Sequence, residues 1–100
     1  KIKKMNKKNY TYRLNLRALE DKSGAEREAE LQFDFENHDD IFDIVERIKS
    51  KSVFEEDQTA TEFAVGLKLF TEVLLKNRNH PLFEELGPQM AAFMKKLKSQ

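Results

Sequence analysis

The apolar residues of this chain change rhythm near His38, and that change constrains the fold more than any other feature. From Tyr10 to Phe35 apolar residues alternate with polar ones, and from Ile41 to Leu97 they recur every three or four positions. Alternation puts every second side chain on one face of a strand, whereas the longer spacing draws one stripe along a helix. The pattern predicts an α+β chain: an N-terminal antiparallel β-hairpin followed by three or four helices, in the order ββααα.

In the first strand Tyr10, Tyr12, Leu14, Leu16 and Ala18 alternate with Asn9, Thr11, Arg13, Asn15 and Arg17. In the second, Ala29, Leu31, Phe33 and Phe35 alternate with Glu30, Gln32, Asp34 and Glu36. Ser23-Gly24 lies midway and fits a two-residue turn, with glycine accepting a positive φ. That turn predicts a register in which paired residue numbers sum to 47. Tyr12 then faces Phe35, Leu14 faces Phe33 and Leu16 faces Leu31, while Arg13 meets Asp34 and Arg17 meets Glu30. Apolar pairs fall on one face and opposite charges on the other, and a one-residue slip would destroy both. The aromatic residues thus share an expected core face, which argues against a sheet that stacks RNA bases.

Beyond His38, Asn37 can cap a helix whose stripe is Ile41, Ile44, Val45 and Ile48, with Asp43 and Arg47 as an exposed i,i+4 pair. Asp39, Asp43 and Glu46 beside His38 read as a solvated acidic face rather than a cation site. Thr59-Ala60-Thr61-Glu62 matches a capping box, Asp57 being an alternative cap. The helix predicted from about 59 to 77 carries Phe63, Leu67, Phe70 and Leu74, widened by Val65, Leu69 and Val73. Gly66 within it predicts close approach of another element. Pro81 suits the first turn of a further helix, and Gly87-Pro88 divides the C-terminal stripe into segments 81–86 and 88–98. Met90 and Met94 on that stripe read as core.

The chain has 100 residues, 39% of them hydrophobic and 36% charged, enough for one small domain with a strongly solvated surface. Residues 9–98 are expected to form a single α+β domain. Residues 1–8 read as a basic tail, with 1–4 an expression-derived leader before a native start at Met5. Formal net charge is zero, yet residues 1–17 carry seven basic side chains and no acid, and Lys95, Lys96 and Lys98 sit near the other end. Such termini can attract nucleic acid, but they also suit solvated tails. No apolar run approaches the roughly 20 residues of a membrane span, and no apolar stretch follows the basic start as a signal peptide would require. Without cysteine, thiol and disulfide chemistry is excluded.

No glycine-rich phosphate loop, histidine pair at metal spacing or nucleophile motif is present. The candidate binding residues are Asn77, Arg78, Asn79 and His80, the one short segment that gathers several functional groups. Arg78 and His80 before a helix start could hold an anion or a partner; a tight helix-helix turn explains the same residues structurally.

The segments Asn37-His38-Asp39-Asp40-Ile41-Phe42, Gly66-Leu67-Lys68-Leu69-Phe70 and Asn77-Arg78-Asn79-His80-Pro81-Leu82-Phe83 resemble a family of short bacterial proteins known only as a domain of unknown function. The resemblance covers Met5 to about Lys98. It implies a bacterial, cytoplasmic protein and supplies no activity.

The reading that results is a cytoplasmic protein-protein interaction or regulatory module with no catalytic residues, no metal and no cofactor. The alternatives are a nucleic-acid-associated protein using its basic termini, and an enzyme or anion-binding protein with a dispersed site near Asn77–His80. The expected partners are a second copy of the chain and an unidentified protein, with no specific nucleic acid and no membrane. A homodimer is expected because an isolated hairpin is marginal in water and leaves both edges unpaired. Strand one is the favoured edge, since Glu28, Glu30, Asp34 and Glu36 make strand two repel its copy. A helical interface through Phe93, Met94 and Leu97 is the competing geometry.

Overall fold

The computed structural model describes residues 8–100, so most of the basic tail expected over residues 1–8 lies outside the described residues. The chain forms two compact units, a hairpin ending at Asp39 and a helical unit beginning at Asp40.

The hairpin is a two-stranded antiparallel sheet of β1 (Tyr10–Arg17) and β2 (Glu30–Asn37). Its register is the expected one, from Tyr10 opposite Asn37 to Arg17 opposite Glu30. On the apolar face, the rings of Tyr12 and Phe35 lie 5.4 Å apart, with Tyr10 stacked on Tyr12 at 6.3 Å and Phe33 against Phe35 at 5.8 Å. On the polar face Arg13 forks onto Asp34, with bonds of 2.7 and 3.0 Å from Nε and Nη2. Arg17 stands 3.8 Å from Glu30.

The tip differs from expectation. Gly24 N–H donates to Asp21 O and Asp21 N–H to Ala25 O, so the loop is Lys22-Ser23-Gly24 rather than the pair Ser23-Gly24. Gly24 has φ +90°, as a three-residue loop closing on a left-handed residue requires. Ala18 still bonds Ala29, but nearer the tip Glu20 pairs with Glu26. Leu19 therefore opposes both Arg27 and Glu28, a bulge that absorbs the extra loop residue and leaves the strand register intact.

The helical unit contains α1 (Ile41–Ser50), α2 (Asp57–Lys76), a 3₁₀ turn at Pro81–Phe83 and α3 (Leu86–Lys98). Asp40, not Asn37, caps α1, its Oδ1 accepting from the N–H groups of Phe42 and Asp43. Asn37 ends β2 instead, and its Oδ1 accepts the Asp39 N–H at 3.0 Å in an Asx turn. The ion pair on α1 joins Glu46 to Lys49 at 3.6 Å rather than Asp43 to Arg47. The helix closes with Ser52 at φ 54°, a left-handed position more often taken by glycine. α2 starts at Asp57, so Thr59 falls inside the first turn and the expected capping box does not form.

The core of this unit is small. α1 and α2 pack together; α1 buries Ile41, Val45 and Ile48, and α2 buries Ala60 and Ala64. Methyl side chains at i and i+4 let a neighbouring element come close. Lys68 and Glu72 continue that buried row, and no buried side-chain polar atom among the described residues lacks a hydrogen-bond partner. The Phe63–Leu74 stripe, expected to be central, is only partly covered, and Phe70 is exposed. No atom of another element comes within 4 Å of where a Cβ on Gly66 would stand, so close approach does not explain it. α3 buries no residue; Met90 and Met94 are half-buried rather than core, and Phe63 meets Phe93 edge-on at 6.3 Å.

Candidate functional site

Asn77, Arg78, Asn79 and His80 form the exposed link between α2 and the 3₁₀ turn. Asn77 closes α2, donating its Nδ2 to Val73 O at 2.8 Å and its N–H to Leu74 O. His80 accepts the Leu82 N–H at Nδ1, 3.0 Å away, and its ring lies 6.0 Å from that of Phe83. Both side chains thus satisfy backbone groups that the chain reversal would otherwise leave open. Arg78 and Asn79 are exposed beside them.

The hairpin presents the larger surface with unspent binding capacity. Leu16 is 61% exposed, Leu31 opposite it 55% and Phe33 39%. Tyr12, Leu14 and Phe35 in the middle of the strands are half-buried, so the face expected to be core is partly covered there and open towards the tip, and Tyr10 at the far end is exposed as well. Asn15 ties the polar face together, its Nδ2 donating to Glu30 at 2.7 Å and to Gln32 at 3.0 Å. The hydrogen bond from Arg13 holds the Asp34 carboxyl below the usual carboxylate range, and the same contact raises the Arg13 guanidinium. At the tip, bonds from the Ser23 hydroxyl and from the Ser23 and Ala25 N–H groups lower Asp21 likewise.

The bulge shapes an open concavity of about 600 Å³, lined by Arg17 to Leu19 and Glu26 to Glu30. Its lining mixes charges of both signs with the apolar side chains of Ala18, Leu19 and Ala29. Sequence alternation could not reveal it, because it exists only where the tip register shifts. Among the described residues no three His, Asp or Glu side chains gather where they could hold a metal ion. No helix among them is long and apolar enough to cross a membrane.

The family DUF3861, described as a domain of unknown function with a solved structure, matches residues 10–99. The chain belongs to this family. It is similar to a protein of unknown function from Pectobacterium atrosepticum whose crystal structure has been solved: 38% identity, TM-score 0.78, covering 92% of this chain and 99% of that one. No functionally curated protein matches it. The resemblance carried by the strings around Asn37, Gly66 and Asn77 is therefore to the right family, and membership brings no activity with it.

Proposed function

We propose that this chain is a protein-protein interaction module that works without catalysis, in the cytoplasm, and that its first partner is a second copy of itself. The observation that supports this most directly is the cross-strand group Leu16, Leu31 and Phe33, substantially exposed on a sheet that has two strands among the described residues. Contiguous exposed apolar surface is costly to leave in water and typically marks an interaction site. Two strands alone are marginal, so a second hairpin that adds strands to the sheet also supports it and packs apolar side chains across the seam. Sedimentation equilibrium at micromolar concentration tests the reading, with a species of twice the 11.8 kDa chain mass expected. A monomer that persists to millimolar concentration overturns self-association, and reproducible turnover of a small molecule by the pure protein overturns the non-catalytic assignment.

A further inference from the structure

Resting on that reading, we infer that two copies join along the free edge of β1, antiparallel about a two-fold axis at Leu14, into one four-stranded sheet. The ladder shows which backbone groups are available. Ala18 N–H donates to Ala29 O, which sets the phase of the β1–β2 bonds. In an antiparallel pair such bonding residues alternate with residues whose N–H and C=O point away. Even-numbered β1 residues therefore serve β2, and Thr11, Arg13, Asn15 and Arg17 turn their backbone groups outward. On β2 the outward groups belong to Glu30, Gln32, Asp34 and Glu36.

Charge selects between the two edges. Any close self-pairing of β2 sets carboxylates opposite or diagonal to carboxylates, since Glu30, Asp34 and Glu36 occupy three of its four outward positions. That edge is guarded in the manner common to exposed strands. β1 has no acid, and its own hairpin compensates its two cations: Arg13 is clamped by Asp34 and Arg17 lies near Glu30.

Charge and length of overlap together select the register. Axes on Tyr12 or Leu16 also oppose no like charges, but within Tyr10–Arg17 they pair only residues 10–14 or 15–17, against 11–17 for an axis on Leu14. Centring the axis on Arg13 sets Arg13 against Arg13, and centring it on Asn15 sets Arg13 against Arg17 twice. Centring it on Leu14 sets Leu14 on Leu14, Tyr12 on Leu16, Arg13 on Asn15 and Thr11 on Arg17, with no like charges opposed. The outward residues Arg13–Asn15 and Thr11–Arg17 then become the hydrogen-bonded pairs. Leu14–Leu14 becomes a non-hydrogen-bonded pair, where Cα atoms approach to about 4.5 Å. On the apolar face, Leu14 and the Tyr12–Leu16 pairs then cover one another laterally across the seam.

Asn15 offers a selective test, because its N–H points to the seam and not to β2. Asn15→Pro removes that donor while proline remains tolerable on an edge facing away from its own ladder. Asn15→Ala loses the same side-chain bonds but keeps the N–H. Asn15→Pro is expected to weaken dimerisation by at least about tenfold and Asn15→Ala to leave it near wild type, both read by sedimentation equilibrium. A dimer that tolerates Asn15→Pro overturns the β1 seam and leaves the interaction reading standing, whereas a monomeric wild type overturns both. Because the chain has no cysteine, Leu14→Cys creates its sole thiol. Mild oxidation should link Leu14→Cys chains across the axis but not Arg13→Cys chains, and this decides the matter even if the proline variant fails to fold. The reverse outcome, or linkage of neither, overturns the Leu14-centred pairing.

Discussion

In the hairpin, Leu16 and Leu31 oppose one another across the ladder and each remains more than half exposed, whereas in the helical unit Ala60 and Ala64 are fully buried. On α2 the small side chains lie inside, facing the buried Ile41, Val45 and Ile48 of α1, while the larger leucines of the hairpin stay outside. The hairpin owes its conformation to pairing: a matched column of side chains on each face, an Arg13–Asp34 fork and an Asx turn at Asp21. It buries little apolar area in doing so. The helical unit makes few such specific pairs and is held by close contact of α1 with α2, where methyl side chains permit the approach. The difference teaches that hydrophobicity alone placed the buried stripe of α1 but neither the buried row of α2 nor the extent of burial in the hairpin. In the hairpin pairing dominates and burial is left incomplete; in the helices proximity dominates and bulky residues such as Phe70 are left at the surface.

If that contrast is right, truncating the same kind of side chain in the two regions must have unequal effects. Ile48→Ala is expected to lower stability by about 2–5 kcal/mol, since it removes a buried aliphatic side chain and leaves a cavity. Leu31→Ala should cost below about 1 kcal/mol in the monomer, as for surface positions generally. Urea unfolding of both variants checks this, and equal losses would break the comparison.

A smaller effect separates the cap observed on α1 from the cap expected on α2. Asp40→Ala should cost about 1 kcal/mol because two N–H groups of α1 lose their acceptor. Thr59→Ala should stay within about 0.5 kcal/mol, its side chain capping nothing. Thermal unfolding followed at a helical circular-dichroism band distinguishes them, and a larger loss for Thr59→Ala would restore the capping box.

The smallest effect is on pH dependence and belongs to the hairpin. The Asp21 and Asp34 carboxyls are both lowered from 3.8 in the folded chain. Their stabilisation is fully present above the ordinary carboxylate range and is lost as pH falls through the lowered folded-state values. Both tyrosines lie in β1 and there is no tryptophan, so tyrosine fluorescence reports the hairpin selectively. Asp21→Asn with Asp34→Asn should flatten its acid transition, and an unchanged transition would show that these contacts contribute nothing to folding.

The sequence by itself determined the order ββααα and the strand register, because alternation and charge matching across two strands are read directly from neighbouring residues. The register survived an error in the turn: Lys22-Ser23-Gly24 replaced Ser23-Gly24, and the bulge at Glu28 absorbed the difference, since slipping the strands would have exposed every apolar pair to a polar one. A break at Pro81 and the family were legible from Pro81 and from the three strings, but Gly87-Pro88 does not divide two helices. α3 begins at Leu86 with both residues in its first turn, and the segment expected over 81–86 is only the 3₁₀ turn Pro81–Phe83. Tertiary structure decided what is inside. A helical stripe states which residues share a face, not which face another helix covers, so the row Ala60, Ala64, Lys68 and Glu72 displaced the Phe63–Leu74 stripe from the expected centre. Caps followed the same rule: Asn37, Asp40, Asp57 and Thr59 all suit an N-terminus by residue type, but the backbone path selects Asp40 for α1 and, for α2, Glu56, which caps it with no side-chain bond, so neither Thr59 nor the alternative Asp57 serves. At Asn77–His80 the residue types allowed either a ligand or a turn; the folded chain uses Asn77 and His80 to close backbone hydrogen bonds at a reversal of direction, which residue type alone does not specify.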